Sequence, residues 1–190
     1  MDKAALIEEV LTRRPCTGSQ AAVEYGSFVG YTSVRLTNRL RCSFSSLRSV
    51  SLEVDNVHQA VSRHLLALAG LSAWGEIWNG QVRDLIPRLI DELGSRSAGF
   101  LFMDHRGTRF HEDSAHLGRV DGLASAGYIV ADNVLNPGGP IFAWSVGRAP
   151  HSTVLSVTEF MSQDREDWMA VVDVALAGTK FPDALSTFHA

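Results

Sequence analysis

The feature that most constrains this chain is a regular alternation of short apolar runs with longer amphipathic ones. The pattern predicts strands at residues 21–25, 50–54, 75–78, 99–103 and 128–131, and two final strands at 151–157 and 168–176. Helical spacing marks 4–13 ahead of the first strand, then 31–41, 57–71 and 84–93 between later ones. Gly99-Phe100-Leu101-Phe102-Met103 and Tyr128-Ile129-Val130-Ala131 are apolar without interruption, as expected of strands buried on both faces. Strands joined by helix-length segments imply right-handed crossovers, a mostly parallel sheet and helices on both of its faces. A chain of 190 residues is expected to form a single domain, 1–190.

Composition removes several classes of function. Seventeen basic residues against twenty-one acidic ones leave a net charge of −4, which disfavours a nucleic-acid partner, since phosphate neutralisation needs a basic face. The longest apolar stretches, such as 65–71 and 128–131, are far short of a membrane span. Cys16 and Cys42 form no close-spaced pair, so no thiolate metal site is indicated, and two lone thiols suit a reducing compartment. The first residues lack the basic start, apolar centre and small-residue cleavage site of a signal peptide. The expected setting is the cytoplasm, without a membrane or nucleic-acid partner.

In open parallel sheets, ligands bind beyond the carboxyl ends of the strands. The residues standing there are Glu24 and Gly26, Glu53, Asp104 and His105, and Asp132 and Asn133. Gly26 and Gly30, four apart, allow a sharp turn and a close backbone approach, either to a ligand or simply at a strand-to-helix turn. The spacing is not the Gly-x-Gly-x-x-Gly of dinucleotide sites. Glu53 stands where a carboxylate accepts hydrogen bonds from a ribose, and with the glycine loop it points to an adenosine-containing ligand. Asp104, Asp132 and Asn133 offer hard oxygens suited to magnesium rather than zinc; the same residue types also cap helices. His105 reads as ligand, base or loop histidine, and 106–109 as a solvated loop.

With those residues placed, the chain resembles the catechol O-methyltransferase family. The matching stretches are Glu24-Tyr25-Gly26-Ser27-Phe28-Val29-Gly30-Tyr31-Thr32-Ser33-Val34-Arg35, Asp84-Leu85-Ile86-Pro87, Phe102-Met103-Asp104-His105 and Ala131-Asp132-Asn133-Val134, with 28 residues from Asp104 to Asp132. The resemblance implies a Rossmann-like class I methyltransferase: an α/β fold with a mostly parallel seven-stranded sheet and an antiparallel last strand. It implies S-adenosylmethionine as methyl donor and Mg2+ as metal. Glu24, Gly26 and Thr32 would surround the methionine end of the donor. Glu53 would bind the ribose, Val54, Val82 and His105 would line the adenosine site, and Asp104 would border both donor and metal. Asp104, Asp132 and Asn133 would hold the metal. Asn133, Pro137 and Glu159 would meet a small phenolic or catechol substrate, with Glu159 on its hydroxyl. His105 and Glu159 are the candidate catalytic residues.

The departures from the family pattern fall in one place. The family carries a catalytic lysine three residues after the first metal aspartate, where this chain has Gly107, and an aromatic residue where it has Arg106. A glutamine near the adenine is Arg83. The family segment methionine-asparagine-valine-glycine has no counterpart after Met1, so the resemblance implies a shortened N-terminus. The expected function is Mg-dependent methyl transfer from S-adenosylmethionine to a catechol-type hydroxyl. The alternatives are a degenerate, non-catalytic binding module and an O-methyltransferase for a different phenolic acceptor. If the backbone at position 107 tolerates a side chain, a lysine placed there is expected to raise methylation.

Overall fold

The computed structural model describes residues 3–13, 20–43, 47–148, 152–158 and 166–174. Seven strands form one sheet: β1 (Ala21–Tyr25), β2 (Ser49–Glu53), β3 (Gly75–Asn79), β4 (Ala98–Met103), β5 (Leu123–Ala131), β6 (Ser152–Thr158) and β7 (Glu166–Asp173). Among the described residues six α-helices accompany them: α1 (Lys3–Arg13), α2 (Tyr31–Ser43), α3 (Asn56–Leu68), α4 (Val82–Leu93), α5 (Phe110–Arg119) and α6 (Pro140–Arg148). The spatial order is β3-β2-β1-β4-β5-β7-β6. Neighbours from β3 through β5 pair in parallel, while β7 runs antiparallel to both β5 and β6. The mostly parallel seven-stranded sheet with an antiparallel last strand is therefore present.

Burial explains why the sequence pattern was readable. Every residue of β1, β2 and β4 is buried, because helices cover both faces of the sheet centre and the strands can be apolar throughout. One core layer gathers Val23, Val50, Leu101, Ile129, Ile86 and Phe110. The opposite layer gathers Ala22, Phe100, Phe102 and Val130 under Leu6, Ile7, Val10 and Leu11 of α1 and Leu36 and Leu40 of α2. Edge strand β6 is largely exposed, as an edge away from the crossovers should be. Helix α5 packs on β5, and α6 packs on β6 and β7.

The chain steps from β1 outward to β2 and β3 and then returns to place β4 on the other side of β1. This reversal opens a crevice between the ends of β1 and β4. The turn after β1 holds its shape through two left-handed glycines, Gly26 at φ 90° and Gly30 at φ 89°. A Cβ on Gly26 would lie 2.9 Å from the Asp104 carbonyl oxygen, and one on Gly30 would lie 2.8 Å from Ser62 Cα in α3. Both glycines are thus required by the packing of the turn itself. Gly30→Ala combines an unfavourable φ with a backbone clash and should cost ~2–4 kcal/mol, read as a lowered midpoint in urea denaturation.

Candidate functional site

A cavity of about 590 Å³ opens at the carboxyl ends of β1, β2 and β4. It brings together six of the residues singled out from the sequence: Gly26, Glu53, Val54, Val82, Asp104 and His105. Glu24, Thr32, Asp132, Asn133 and Pro137 do not line it. Glu159 lies outside the described residues. Arg106, Thr108 and Arg109 border the cavity, and Gly107–Arg109 is a 3-10 turn with Gly107 buried. The segment 106–109, expected as a solvated loop, is exposed at Arg106 and Thr108 and also forms part of the cavity wall. Arg83 and His58 complete the rim, which carries the guanidinium groups of Arg83, Arg106 and Arg109.

Glu53 ends β2 and ties the site together. Its Oε2 accepts from the Phe28 amide at 2.8 Å and its Oε1 from the Asp55 amide at 2.9 Å. The carboxylate therefore clamps the glycine turn to the β2 end while still facing the cavity. Glu24 lies deeper. Ser33 and Ser51 both donate to its Oε2, and its Oε1 is buried with no hydrogen-bond partner among the described residues. Burial pushes this carboxyl up to about 7, against the two serine hydrogen bonds, with nearby Glu53 adding to the rise.

His105 follows β4 with its ring edge-on to Tyr25 and tilted against Phe110, at centroid distances of 5.5 and 5.1 Å. Its Nε2 lies 2.9 Å from Asp113 Oδ2. A carboxylate only accepts, so Nε2 is the donor in this contact. Nδ1 is buried with no partner among the described residues. The ring is a positioned wall of the cavity, with one nitrogen engaged and the other sealed. Burial, with Asp113 nearby, pushes the Tyr25 hydroxyl well above its ordinary range, so it stays a neutral phenol.

The oxygen-rich residues expected to hold a metal stand on adjacent strand ends. Met103 pairs with Ala131, and the Asp132 amide donates to the Met103 carbonyl at 2.9 Å. Asp104 is exposed, whereas Asp132 is buried. Asn133 adopts a left-handed φ of 54°, and its Nδ2 donates to Asp167 Oδ2 at 2.7 Å. Asp167, at the start of β7, also accepts from the Leu135, Asn136 and Trp168 amides. Lys3 of α1 places Nζ 2.9 Å from Asp132 Oδ1 and 3.3 Å from Asp167 Oδ2. Burial pushes the Asp132 carboxyl up, opposed by Lys3. Burial would raise Asp167 too, but the amide hydrogen bonds and Lys3 outweigh it and hold it low. Among the described residues no three Asp, Glu, His or Cys side chains gather around one point. Two carboxylates and an amide at neighbouring strand ends still match the hard-oxygen chemistry of magnesium.

Lys3, Asp113 and Asp167 were not singled out from the sequence. Asp113 carries a weak signal, an acid in the first turn of the helix after His105. Asp167 is separated from Asn133 by 34 residues, and Lys3 from Asp167 by 164, so only the folded sheet brings them together.

Position 107 departs from expectation. A Cβ there would lie 2.5 Å from the Gly138 carbonyl oxygen and 2.9 Å from its carbon. The turns after β4 and β5 touch backbone to backbone, and no side chain fits between them without moving one. The expected gain from lysine at this position therefore fails on space.

The strand order and the cavity at the β1 and β4 ends define the class I methyltransferase fold. The O-methyltransferase TomG of Streptomyces achromogenes, solved in complex with S-adenosylmethionine, superposes with a TM-score of 0.72 at 20% identity, covering 89% of this chain and 78% of that one. A Bacillus cereus O-methyltransferase in complex with S-adenosylhomocysteine gives 0.72 at 17% identity, covering 90% and 80%. In sequence the chain is similar to the catechol O-methyltransferases, as its motifs implied. It is 30% identical to the mouse enzyme of that name over 120 residues, 63% of this chain and 44% of that protein. The chain spans about half the length of the curated relatives it matches. No family model matches it.

Two outcomes follow from the geometry. Glu24 keeps its proton when folded up to about pH 7 but loses it near 4.5 when unfolded. The folded state then binds the extra proton, so stability falls as pH rises through that window, by about 3 kcal/mol in all. Glu24→Gln should flatten this slope in urea denaturation from pH 4.5 to 8. Gly107→Lys should lower the unfolding midpoint by ~1–3 kcal/mol and leave any methyl transfer no faster than in the parent.

Proposed function

We propose that this chain is an S-adenosylmethionine-dependent O-methyltransferase acting on a catechol-type phenol. The observation that carries the reading is the convergence of Gly26, Glu53, Val54, Val82, Asp104 and His105 on one cavity. Those are six of the eight residues that the sequence resemblance assigned to the donor; Glu24 and Thr32 do not line the cavity. The similar TomG enzyme, solved with S-adenosylmethionine bound, supports the choice of donor. A cytoplasmic setting belongs to the same proposal; among the described residues no helix is long and apolar enough to cross a membrane.

In this reading Glu53 accepts the ribose hydroxyls with the lone pairs left beside its two amide hydrogen bonds. Val54 and Val82 supply the apolar faces for the adenine, and His105, fixed by Asp113, closes that wall. Glu24 and Thr32, which the resemblance assigns to the methionine end, do not line the cavity, so in this reading Glu24 supports that end from behind the glycine turn. Asp104, Asp132 and Asn133 would hold Mg2+, which when bound supplies positive charge that favours the ionised acceptor hydroxyl. The chain's own part in transfer is mainly positioning. With Gly107 packed on Gly138 and both His105 nitrogens withdrawn, neither position 107 nor His105 offers a base to the acceptor. The acceptor proton therefore leaves to solvent or to Glu159, and transfer is slow near neutral pH, accelerating as pH rises.

The packed glycine contact also favours a second reading, a non-catalytic module that binds the donor without using it. Turnover separates the two: methylation of a simple catechol with saturating donor and Mg2+ supports the enzyme, and donor binding without transfer at any pH supports the module. The rim of Arg83, Arg106 and Arg109 makes a phenol bearing a carboxylate a fitting acceptor to include. Donor binding itself is tested by Glu53→Gln, which keeps size but removes charge. Losing charge-assisted hydrogen bonds of roughly 1.5–3 kcal/mol each should weaken S-adenosylmethionine by about tenfold or more in calorimetry. An unchanged dissociation constant would overturn the adenosine assignment.

A further inference from the structure

The acid pair where β5 ends and β7 begins already holds a cation, and the chain supplies it. Lys3 Nζ sits 2.9 Å from Asp132 Oδ1 and 3.3 Å from Asp167 Oδ2, with the three side chains only 14%, 10% and 1% exposed. We infer that Lys3 is a tethered cation of this site, and that a divalent metal reaching Asp132 must displace its ammonium or bind against its charge. The inference rests on the proposal that Asp132 is a metal ligand.

Three observations support it. Asp132 Oδ1 accepts from the Asn133 amide at 2.8 Å as well as facing Lys3, so that oxygen is already doubly engaged. The Asn133 amide group turns its Nδ2 toward Asp167, holding the second acid in the same network. Lys3 is also not what anchors its helix. Leu6, Ile7, Val10 and Leu11 are buried in the core layer beneath α1, and Glu8 pairs with Arg35 of α2 at 2.6 Å. The ammonium is therefore delivered by a helix already fixed in place and binds without losing the freedom of a separate ion, as tethered groups do. At a site this sheltered from water, repulsion between the ammonium and an incoming dication is strong. The charge of Lys3 sets the metal affinity lower than the oxygen donors alone would give.

Mn2+ titration followed by electron paramagnetic resonance, which reads the unbound ion directly, tests this without any turnover. Lys3→Met should bind Mn2+ about tenfold or more tightly than the parent, and Lys3→Arg should stay near the parent. Equal or weaker binding by Lys3→Met overturns the inference. If that equality comes with loss of binding in Asp132→Ala, the metal assignment stands and only the role of Lys3 falls. If neither the parent nor Lys3→Met binds Mn2+, both fall together.

Discussion

Gly26 lies against the backbone of Asp104 and His105, and the rest of the site depends on that approach. A side chain at Gly26 would meet the Asp104 carbonyl oxygen at 2.9 Å and the His105 Cα at 3.0 Å. The two neighbouring strand ends, β1 and β4, are therefore held as close as backbones allow. The closeness directs the glycine turn toward β2, where Glu53 captures the Phe28 amide. It also delivers Asp104 and His105 to the mouth of the crevice that the strand order creates. A second such contact, Gly107 on Gly138, closes the next gap along the sheet edge. The carboxyl edge is assembled by backbone packing, with side chains then placed around it.

Charge along that edge is arranged in two zones. The donor cavity pairs the carboxylates of Glu53 and Asp104 with a rim of Arg83, Arg106 and Arg109. The neighbouring zone groups Asp132 and Asp167 around Lys3. Asp104 is exposed; the buried acids are kept tolerable by specific donors: amides for Glu53 and Asp167, the ammonium for Asp132. Glu24 is the exception, since its two serine donors do not offset complete burial and it stays protonated to about pH 7. Buried polar groups are costly unless satisfied, and the unpartnered Oε1 of Glu24 is where the described residues leave that requirement open.

The fold was legible because its determinants are local and repeated. Fully buried strands such as Gly99–Met103 read as unbroken apolar runs, and crossover helices read as amphipathic segments between them. The boundaries differ by one or two residues at most strands; β5, predicted from 128, begins at Leu123. Its first half carries small and polar residues, Ala124, Ser125, Ala126 and Gly127, that no apolar pattern marks. Helices α5 and α6 were not predicted individually: α5 buries Asp113 and Ser114 beside Phe110 and Leu117, and α6 is a short segment of nine residues.

The sequence by itself determined the parallel sheet, the residues at its strand ends and the likeness of those residues to a methyltransferase motif set. These rest on periodicity and on short contiguous segments. Tertiary structure alone decided which of those residues share a cavity, that the turn at 106–109 is a wall, and that position 107 has no room for a side chain. It alone joined Lys3 to Asp167 across 164 residues and seated His105 on Asp113. The physical reason is common to all of these. Pairing across a sheet edge depends on strand order and on how closely backbones from distant segments approach, and neither is encoded in any local stretch of the chain.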